Sequence, residues 1–470
     1  MSPEGIPLTG FKDCDVRGEF GTEVNNALAY RIGRAVGSTI KNPEAIIGGD
    51  FRITTPELME HLRAGLLESG VTVYDLGQVS TPCYYFARRN LGIEAGIMVT
   101  ASHSPSTYNG FKPVLGSLPI TPEELEEIKE TVVKGSFRSG HGKTEKVDIR
   151  QAYVKWFGER FAGFSRKAPG AMPKVIFDCG NGATGWVIRD VLKAIGLEAG
   201  VLFDQPDGRF PNRPPDVAGP EDLILLQEEV RKKGADLGAG FDGDGDRVGF
   251  VDEKGERVAS DLLVAWVSRE MLQKHPNEKV VYDLKLSKAV PETVQRSGGQ
   301  AIPQKSGHTF IKRAVLESGA ILGGEYTGHL FYRELAGGDD GLFSALWVAS
   351  LLAEKRKPFS GLLSGLPRYY STPDLRIRYA GDREKWIRRA LAHAGQQGAK
   401  IIQVDGVKAE YGEGWALMRA SVTEPAFTFR FEGNTRSDML NVAERFLSGL
   451  EELGSQVWRR IVDSIEPIRS

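Results

Sequence analysis

Residues Thr100–Lys112 read T-A-S-H-S-P-S-T-Y-N-G-F-K and directly follow the apolar run Gly96-Ile97-Met98-Val99. The apolar run predicts a buried strand, and the polar loop after such a strand is where open α/β sheets place their chemistry. Ser102 lies in this loop, and Lys112 closes it. Taken alone, the segment fits a surface turn that contains serines just as well, so its interpretation depends on the rest of the chain.

Three later stretches offer what a serine that carries a phosphate would need. The first, a candidate metal cage, reads Asp242-Gly243-Asp244-Gly245-Asp246-Arg247. The second, a candidate sugar-binding loop, reads Gly324-Glu325-Tyr326-Thr327-Gly328-His329. The third, a candidate phosphate loop, reads Arg419-Ala420-Ser421-Val422-Thr423-Glu424-Pro425. Together they favour an active-site loop at Ser102 over a surface turn.

Length and composition exclude several classes of protein. A chain of 470 residues is too long for one core and predicts three or four domains. Its net charge of -2, from 60 basic and 62 acidic residues, argues against a general nucleic-acid binder. The longest apolar run, around Leu342 to Ala353, is interrupted by Ser344 and Ser350 and is too short to cross a bilayer, so we expect no membrane partner.

The cysteines and the first residues indicate the compartment. Cys14, Cys83 and Cys179 are odd in number and lack metal-ligand spacing, so they are interpreted as reduced thiols. Met1-Ser2-Pro3-Glu4-Gly5 has neither the basic start nor the apolar core of a signal peptide. We therefore expect a cytoplasmic protein.

Strand and helix patterns alternate along most of the chain, which predicts parallel α/β units. We divide the chain into domains at 1–146, 147–256, 257–370 and 371–470. The first three are expected to be related mixed α/β domains, and the fourth a smaller α+β domain.

Asp242, Asp244 and Asp246 occupy alternate positions just after a predicted buried strand. Three clustered carboxylates repel one another and would not all stay ionised without a cation. Oxygen ligands alone point to Mg²⁺ or another hard divalent ion. A calcium loop of the EF-hand kind is the competing interpretation, but Arg247 stands where that loop needs glycine, and both flanks resemble strands rather than helices.

The remaining polar loops are ambiguous by themselves. Arg419, Ser421 and Thr423 are rich in donors for a phosphate, although a solvated loop has the same composition. Glu325 and Thr327 can hydrogen-bond to sugar hydroxyls, but a polar turn bounded by glycines is weak evidence. Lone histidines are more often structural than catalytic, so neither His308 nor His329 counts without the rest.

In this order and at these separations, the four stretches resemble the α-D-phosphohexomutase superfamily, and within it the bacterial phosphomannomutase/phosphoglucomutase members. The signals T-A-S-H-x-P, D-G-D-G-D-R and G-E-x-[ST]-G-H are specific in combination, and the resemblance covers essentially the whole chain. It implies four domains around a central cleft, each of which contributes one loop.

The resemblance also implies roles for individual residues. Ser102 is then the phosphorylated residue, and its phosphate completes a Mg²⁺ site with Asp242, Asp244 and Asp246. Glu325 and Thr327 contact sugar hydroxyls, while Arg419, Ser421 and Thr423 hold the phosphate that is not reacting. The basic residues expected around the transferred phosphoryl group are Arg17, Lys112, Arg247, Lys285, His308 and His329.

The implied enzyme is an isomerase that interconverts hexose 1-phosphate and hexose 6-phosphate, of mannose, glucose or both. It acts through phosphoserine and a hexose 1,6-bisphosphate that is both intermediate and activator, and it is a monomer or a small homo-oligomer. Phosphoglucosamine mutase is the nearest alternative, although Tyr326 stands where such relatives usually have Gln. A serine- and metal-dependent phosphohydrolase and a non-catalytic sugar-phosphate-binding protein are less favoured. The first usually needs clustered histidine ligands, and the second needs no phosphorylatable serine.

Three positions depart from the family's pattern. Ser104 stands where the family usually has Asn, Val422 where it has Asn or Gly, and Cys14 where close relatives have Tyr. The change at Val422 leaves backbone amides available for phosphate, so substrate choice is affected more than phosphate binding.

Overall fold

The computed structural model describes residues 6–164, 172–219, 221–421 and 426–465. The chain forms two compact units. Unit 1 comprises Met1–Ser260, Val315–Gly323 and Thr327–Gly365, and unit 2 comprises Asp261–Ala314, Gly324–Tyr326 and Leu366–Ser470. Each unit is therefore discontinuous in sequence.

Unit 1 begins with a six-stranded mixed sheet in the order β1-β5-β4-β2-β3-β6. Its strands are β1 (Val16–Glu19), β2 (Glu44–Gly49), β3 (Thr72–Gln78), β4 (Gly96–Val99), β5 (Tyr108–Val114) and β6 (Thr144–Lys146). Its helices are α1 (Asn26–Thr39), α2 (Thr55–Glu68), α3 (Thr81–Leu91) and α4 (Pro122–Lys134). Strand β2 pairs in parallel with β3 and β4, while β5 pairs antiparallel with β4 and with β1. The predicted strand before the Ser102 loop is thus β4, and the loop connects it to β5.

The helices of this sheet follow from their sequence patterns. Leu58, Leu62 and Leu66 share one face of α2, and all three are fully buried, as their spacing predicts. Thr121 caps α4, where its Oγ1 accepts from the Glu124 N–H and the Glu124 side chain accepts from the Thr121 N–H. The sequence Thr121-Pro122-Glu123-Glu124 has the pattern that predicts a capping box, and these two hydrogen bonds form it.

The second sheet of unit 1 has five strands in the order β11-β10-β9-β7-β8. The strands are β7 (Val175–Asp178), β8 (Ala199–Leu202), β9 (Leu237–Phe241), β10 (Val248–Asp252) and β11 (Arg257–Val258). The helices are α5 (Arg150–Arg160), α6 (Ile188–Ile195) and α7 (Ile224–Lys233), with a 3₁₀ turn at Ala183–Trp186. The Asp242 loop joins β9 to its antiparallel partner β10. Because both flanks of this loop are strands, it is not an EF-hand.

The elements of the third part of the chain are shared between the units. Strands β12 (Lys279–Asp283) and β13 (Gln300–Gln304) pair in parallel in unit 2, and strands β15 (Leu330–Tyr332) and β16 (Gly338–Asp339) pair antiparallel in unit 1. Strand β14 is Leu322–Gly324, and the helices are α8 (Ser260–Lys274), α9 (Ala289–Arg296), α10 (His308–Ser318), α11 (Gly341–Lys355) and α12 (Phe359–Leu363). Helix α11 packs on β9 and β10 and is capped by Asp340, which accepts from the Phe343 N–H at 2.9 Å.

The C-terminal part of unit 2 is a sheet covered by three helices. Its strands are β17 (Tyr370–Ser371), β18 (Leu375–Arg378), β19 (Lys400–Ile402), β20 (Val407–Glu410), β21 (Gly414–Ala420) and β22 (Ala426–Gly433). The helices are α13 (Arg383–Gln396), α14 (Arg436–Leu447) and α15 (Glu451–Ile465). All five strand pairings described for this sheet are antiparallel. The predicted arrangement of α/β domains followed by a smaller α+β domain is confirmed.

Two further expectations concern the whole chain. Cys14, Cys83 and Cys179 are buried free thiols, which agrees with their interpretation as reduced cysteines. Within the described residues, no helix has both the length and the apolar character needed to cross a bilayer.

Candidate active site

Ser102 is a buried residue of the loop that follows strand β4. Its φ is 50°, in the left-handed region that residues other than glycine rarely adopt. Its backbone N–H donates to Thr100 Oγ1 at 2.8 Å, and its own Oγ donates to Asp242 Oδ2 at 2.9 Å. Nδ1 of His103 lies 3.3 Å from the same Oγ. The loop therefore brings the Ser102 hydroxyl to the first of the three predicted aspartates.

The Asp242 loop turns around its own first carboxylate. Asp242 Oδ1 accepts the backbone N–H groups of Gly245, at 3.0 Å, and Arg247, at 3.1 Å. Gly245 has φ 83°, a conformation that favours glycine. At Gly243 an added Cβ would lie 2.5 Å from the Ser102 carbonyl oxygen. One glycine of the motif thus permits the turn, and the other permits the close approach of the serine loop.

The three carboxylates of this loop fit a metal ion. Asp242, Asp244 and Asp246 are at most 2% exposed, and one oxygen of each lies within 4.8 Å of those of the other two. Across the part of the chain that the structure describes, Asp244 Oδ1 and Asp246 Oδ1 accept no hydrogen bond. Buried polar atoms are nearly always satisfied in folded proteins, and carboxylate oxygens favour hard cations. A divalent cation would satisfy both atoms.

Lys112 supplies positive charge to the same cluster. Its Nζ donates to Asp244 Oδ2 and to Asp246 Oδ2, each at 2.8 Å, and Thr81 Oγ1 donates to Asp244 Oδ2 at 2.7 Å. Burial alone would lower the pKa of Lys112, but the two carboxylates outweigh it and raise that pKa well above its usual value. Lys112 therefore stays protonated.

The aspartates of the cluster titrate differently from one another. Burial would raise the pKa of Asp244, yet Lys112 and Thr81 together hold it below its ordinary value. Burial, together with the charges of Asp246 and Asp244, raises the pKa of Asp242 well above its ordinary value. Of the three, Asp244, which both Lys112 and Thr81 contact, is thus the carboxylate that ionises most readily.

His329 lies between an arginine and an aspartate. Arg247 Nε donates to His329 Nε2 at 2.8 Å, and His329 Nδ1 lies 2.7 Å from Asp339 Oδ2. Because an arginine Nε–H only donates, Nε2 must accept, and the ring proton is assigned to Nδ1, which donates to Asp339. The histidine is neutral in this arrangement, and it fixes the direction of the Arg247 guanidinium.

Arg17 and Thr327 are the two other expected site residues of unit 1. The register of β1 on β5 places Arg17 opposite Gly110, two residues before Lys112. Arg17 Nη2 donates to Asp15 Oδ2 at 2.5 Å. Its Nε, like Thr327 Oγ1, is buried without a hydrogen-bond partner among the described residues.

In unit 2, Lys285 is buried beside several acids. Its Nζ donates to Asp374 Oδ2 at 3.1 Å and lies 4.0 Å from Asp283 Oδ2. Burial would lower the pKa of Lys285, but Asp374, Asp283 and Glu325 raise it above its usual value. Glu325 is itself 6% exposed, and its Oε2 has no hydrogen-bond partner within the described chain. The candidate sugar-binding loop thus presents an acceptor, Glu325 Oε2, close to the charged Lys285.

The predicted phosphate loop is described only in part. Arg419 is a buried residue near the end of β21, and its Nε donates to Asp405 Oδ2 at 2.6 Å. Its Nη2 donates to no partner among the described residues. Ser421 is half-buried, and Thr423 lies outside the described residues. His308 begins helix α10 and is half-buried.

Sequence reasoning missed several residues that contact the predicted set. Thr81 binds Asp244, Asp339 binds His329, and Asp405 binds Arg419. Neither Asp339 nor Thr81 belongs to any of the motifs singled out in the sequence. A single carboxylate or hydroxyl carries no signal until the fold shows which charged group it contacts.

Fold and site together define a repeated α/β protein with a buried cluster of serine, carboxylates and lysine. Family models for phosphoglucomutase/phosphomannomutase match the chain four times in succession. The matches are alpha/beta/alpha domain I at residues 9–139, domain II at 151–255, domain III at 259–370 and the C-terminal domain at 375–448. This chain belongs to the phosphoglucomutase/phosphomannomutase family, which confirms the resemblance inferred from its motifs.

Curated relatives and solved structures agree with this assignment. A phosphomannomutase/phosphoglucomutase of Pseudomonas aeruginosa is 35% identical over 458 residues, which cover 96% of this chain and 97% of the relative. A phosphoglucomutase of Neisseria gonorrhoeae is 35% identical, with 95% and 98% covered. The crystal structure of a phosphoglucomutase/phosphomannomutase family protein from Burkholderia thailandensis superposes with a TM-score of 0.87 at 33% identity, covering 96% of this chain and 98% of that one.

Proposed function

We propose that this protein interconverts hexose 1-phosphate and hexose 6-phosphate, with mannose or glucose as the sugar, through a phosphoserine at Ser102. The phosphoryl group moves from Ser102 Oγ to the free hydroxyl of the hexose phosphate, whose proton is lost as Ser102 regains one. The resulting hexose 1,6-bisphosphate turns around and returns its other phosphoryl group to Ser102. Family membership and the relatives' names support this reaction.

One observation carries the proposal. The Ser102 hydroxyl donates to Asp242 at 2.9 Å inside a buried cluster that also holds Asp244, Asp246 and Lys112. Phosphoryl transfer requires mainly the positioning of the reacting group and the stabilisation of charge. A serine held by Asp242 at the edge of this cluster meets the first requirement, and a cation together with the lysine meets the second.

The metal is proposed to be Mg²⁺. Asp242, Asp244 and Asp246 would hold it, with the phosphate of Ser102 as a further ligand, and the two unsatisfied oxygens support this set. When bound, the ion would offset negative charge on the transferred phosphoryl group. Lys112, whose raised pKa keeps it protonated, adds positive charge at the same place.

The other residues are assigned to binding and support. Arg247, held by His329, is proposed to face the phosphoryl group, with Arg17, Lys285 and His308 as further basic residues. Glu325 and Thr327 would hydrogen-bond to sugar hydroxyls, since Glu325 Oε2 and Thr327 Oγ1 both lack partners among the described residues. Arg419, Ser421 and Thr423 would hold the phosphate that is not reacting.

The test joins turnover to phosphorylation. Purified enzyme is assayed on mannose, glucose and glucosamine 1-phosphates with Mg²⁺ and a trace of the matching bisphosphate, while phosphopeptide mapping follows Ser102. We expect turnover of mannose or glucose 1-phosphate and phosphate on Ser102. Preference for the glucosamine substrate would shift the assignment to a phosphoglucosamine mutase. Full turnover with Ser102 never phosphorylated would overturn the mechanism.

A further inference from the structure

The conformation of Ser102 needs an external cause. Its left-handed φ of 50° is unfavourable for a residue with a Cβ, and such conformations persist only where the surroundings hold them. The loop residues after it, Ser104 to Thr107, are partly or fully exposed, so burial of their own side chains does not hold the loop. The restraint on the Ser102 backbone therefore comes from residues outside the loop that bind its main chain.

Arg52 supplies that restraint through the main chain. Its guanidinium donates to the carbonyl oxygens of Ser102 at 2.8 Å, Ser104 at 2.6 Å, Pro105 at 2.6 Å and Tyr108 at 2.9 Å. The side chain is fully buried. One planar group thus binds four carbonyls of the loop and leaves them little freedom to rotate.

Asp50 holds both Arg52 and the residue before the serine. Its Oδ2 accepts from Arg52 Nε at 3.1 Å and from Thr100 Oγ1 at 2.7 Å, and its Oδ1 accepts from Thr55 Oγ1 at 2.8 Å. The Thr100 hydroxyl in turn accepts the Ser102 N–H at 2.8 Å. Asp50 therefore fixes the serine from its amide side, while Arg52 fixes it from its carbonyl side.

We propose that Asp50, Arg52 and Thr100 are positioning residues for phosphoryl transfer at Ser102. None of them touches Asp242, yet together they set the backbone that places Ser102 Oγ 2.9 Å from that carboxylate. This inference rests on the proposed function, because it assumes that Ser102 is the group that carries the phosphoryl. It assigns kinetic importance to the Asp50–Arg52 segment, which lies 50 residues before the serine.

A purely structural role is the competing explanation, and the kinetics distinguish the two. Removal of a positioning contact slows transfer to and from Ser102 while substrate affinity and the folded fraction stay close to those of the parent. A displacement of about 1 Å at a reacting group costs on the order of 100-fold in rate. A structural role would instead lower the melting temperature and reduce activity only in proportion to the unfolded fraction.

The sharpest test uses Thr100→Val, with Thr100→Ser as its matched partner. Valine keeps the shape of threonine but loses the hydroxyl that both accepts the Ser102 N–H and donates to Asp50, whereas serine keeps this hydroxyl. We expect Thr100→Val to slow phosphorylation of Ser102 by hexose 1,6-bisphosphate by about 10- to 100-fold in single-turnover experiments, with KM within about twofold of the parent. Thr100→Ser should recover most of that loss.

Arg52→Lys extends the test to the carbonyl side, since a lysine cannot reach four carbonyls with one planar fork. The control is Arg31→Lys, because Arg31 is also buried and donates to a main-chain carbonyl, that of Val132 in helix α4 rather than in the serine loop. We expect Arg52→Lys to slow transfer and to broaden or split the ³¹P resonance of phosphorylated Ser102. Arg31→Lys should leave both unchanged.

The possible outcomes distinguish a failure of this inference from a failure of the proposed function. If the parent enzyme never phosphorylates Ser102, the proposed function fails. If the parent does so and Thr100→Val matches it in transfer rate, or loses rate only as its folded fraction falls, the positioning role is wrong. Should Arg52→Lys not fold, the Thr100 pair still decides.

Discussion

The Ser102 cluster of unit 1 differs from Glu325 and Arg419 of unit 2 in how far the protein itself provides hydrogen-bond partners for the buried polar atoms. In the cluster, Ser102 and Lys112 bind aspartates that lie 132 to 140 residues away, at 2.8 to 2.9 Å. In unit 2, one oxygen of Glu325 and one nitrogen of Arg419 are buried without a partner in the described chain. The cluster is held by contacts within the protein except at Asp244 Oδ1 and Asp246 Oδ1, the oxygens assigned to the metal, whereas the second region leaves atoms for the proposed substrate to satisfy.

This difference matches what the reaction asks of each region. In the proposed reaction the transferred group always meets Ser102, whereas the sugar binds in two orientations. A rigid cluster serves transfer, because preorganised charge needs no rearrangement during the reaction. Buried polar atoms without partners serve binding, because a hydroxyl or phosphate of the sugar can bind them in either orientation of the substrate.

The largest effect is expected in the cluster. In the parent, one oxygen of Asp244 binds Lys112 and Thr81, and its other oxygen is available to the metal. Asp244→Ala removes both, so we expect the rate to fall by roughly 10³-fold or more. Mg²⁺ titration followed by calorimetry should show weakened binding, and chelation should abolish parent activity. Activity that survives either change would mean that the cluster is not a metal site.

Next in size is the loss at Arg419. Arg419→Ala removes a charge-assisted contact worth roughly 1.5–3 kcal/mol, so affinity for both the 1- and the 6-phosphate should fall about 10- to 150-fold. The bisphosphate should also escape more readily, so the variant should depend more on added bisphosphate. Arg389→Ala is the control, since Arg389 is a more exposed arginine of the same unit that pairs with Glu451. Equal affinity and equal bisphosphate dependence in variant and parent would reject the loop assignment.

A smaller effect is expected at Asp339. Asp339→Asn replaces the charged acceptor of His329 Nδ1–H by a neutral amide that can also donate, so the preference for the Nδ1–H tautomer, which Arg247 still supports, is weakened. We expect kcat to fall by roughly 10-fold with little change in KM. Nitrogen-15 NMR of His329 would report the tautomer directly. An unchanged rate with an altered tautomer would show that the Arg247 contact does not depend on it.

The smallest effect concerns stability in unit 2. Lys408 Nζ donates to the Leu284 carbonyl beside Lys285, and burial lowers the pKa of Lys408 to about 8. The unfolded chain binds this proton up to a pKa of about 10.4, so the free energy of unfolding should rise with pH in the interval between the two pKa values. Between pH 8 and 9 the gain should be about 1 kcal/mol. Urea denaturation of the parent and of Lys408→Met at both pH values should show this gain in the parent alone.

Sequence patterns predicted the elements and the charged residues better than their connections. The strand before Ser102, the capping box at Thr121 and the strands around Asp242 follow from local apolar periodicity and turn residues, and the structure confirms them. The Arg52–carbonyl contacts carry no such signal, because main-chain carbonyls are invisible in a sequence. The left-handed Ser102 was equally unpredictable, since no glycine marks it.

The discontinuity of unit 1 has a consequence for its synthesis. A nascent chain that has reached Ser260 already contains Ser102 and all three aspartates, but it lacks Asp340, whose Oδ2 accepts from the Tyr153 hydroxyl of helix α5 at 2.5 Å. Asp339, the partner of His329, is also still missing at that stage. At about 5–20 residues per second, the ribosome needs roughly 4–16 s more to reach these residues. During that interval α5 lacks its contact with Asp340, and the acidic cluster lacks His329 and Asp339. Premature termination there would yield a chain that contains Ser102 but not His329, the histidine that orients Arg247.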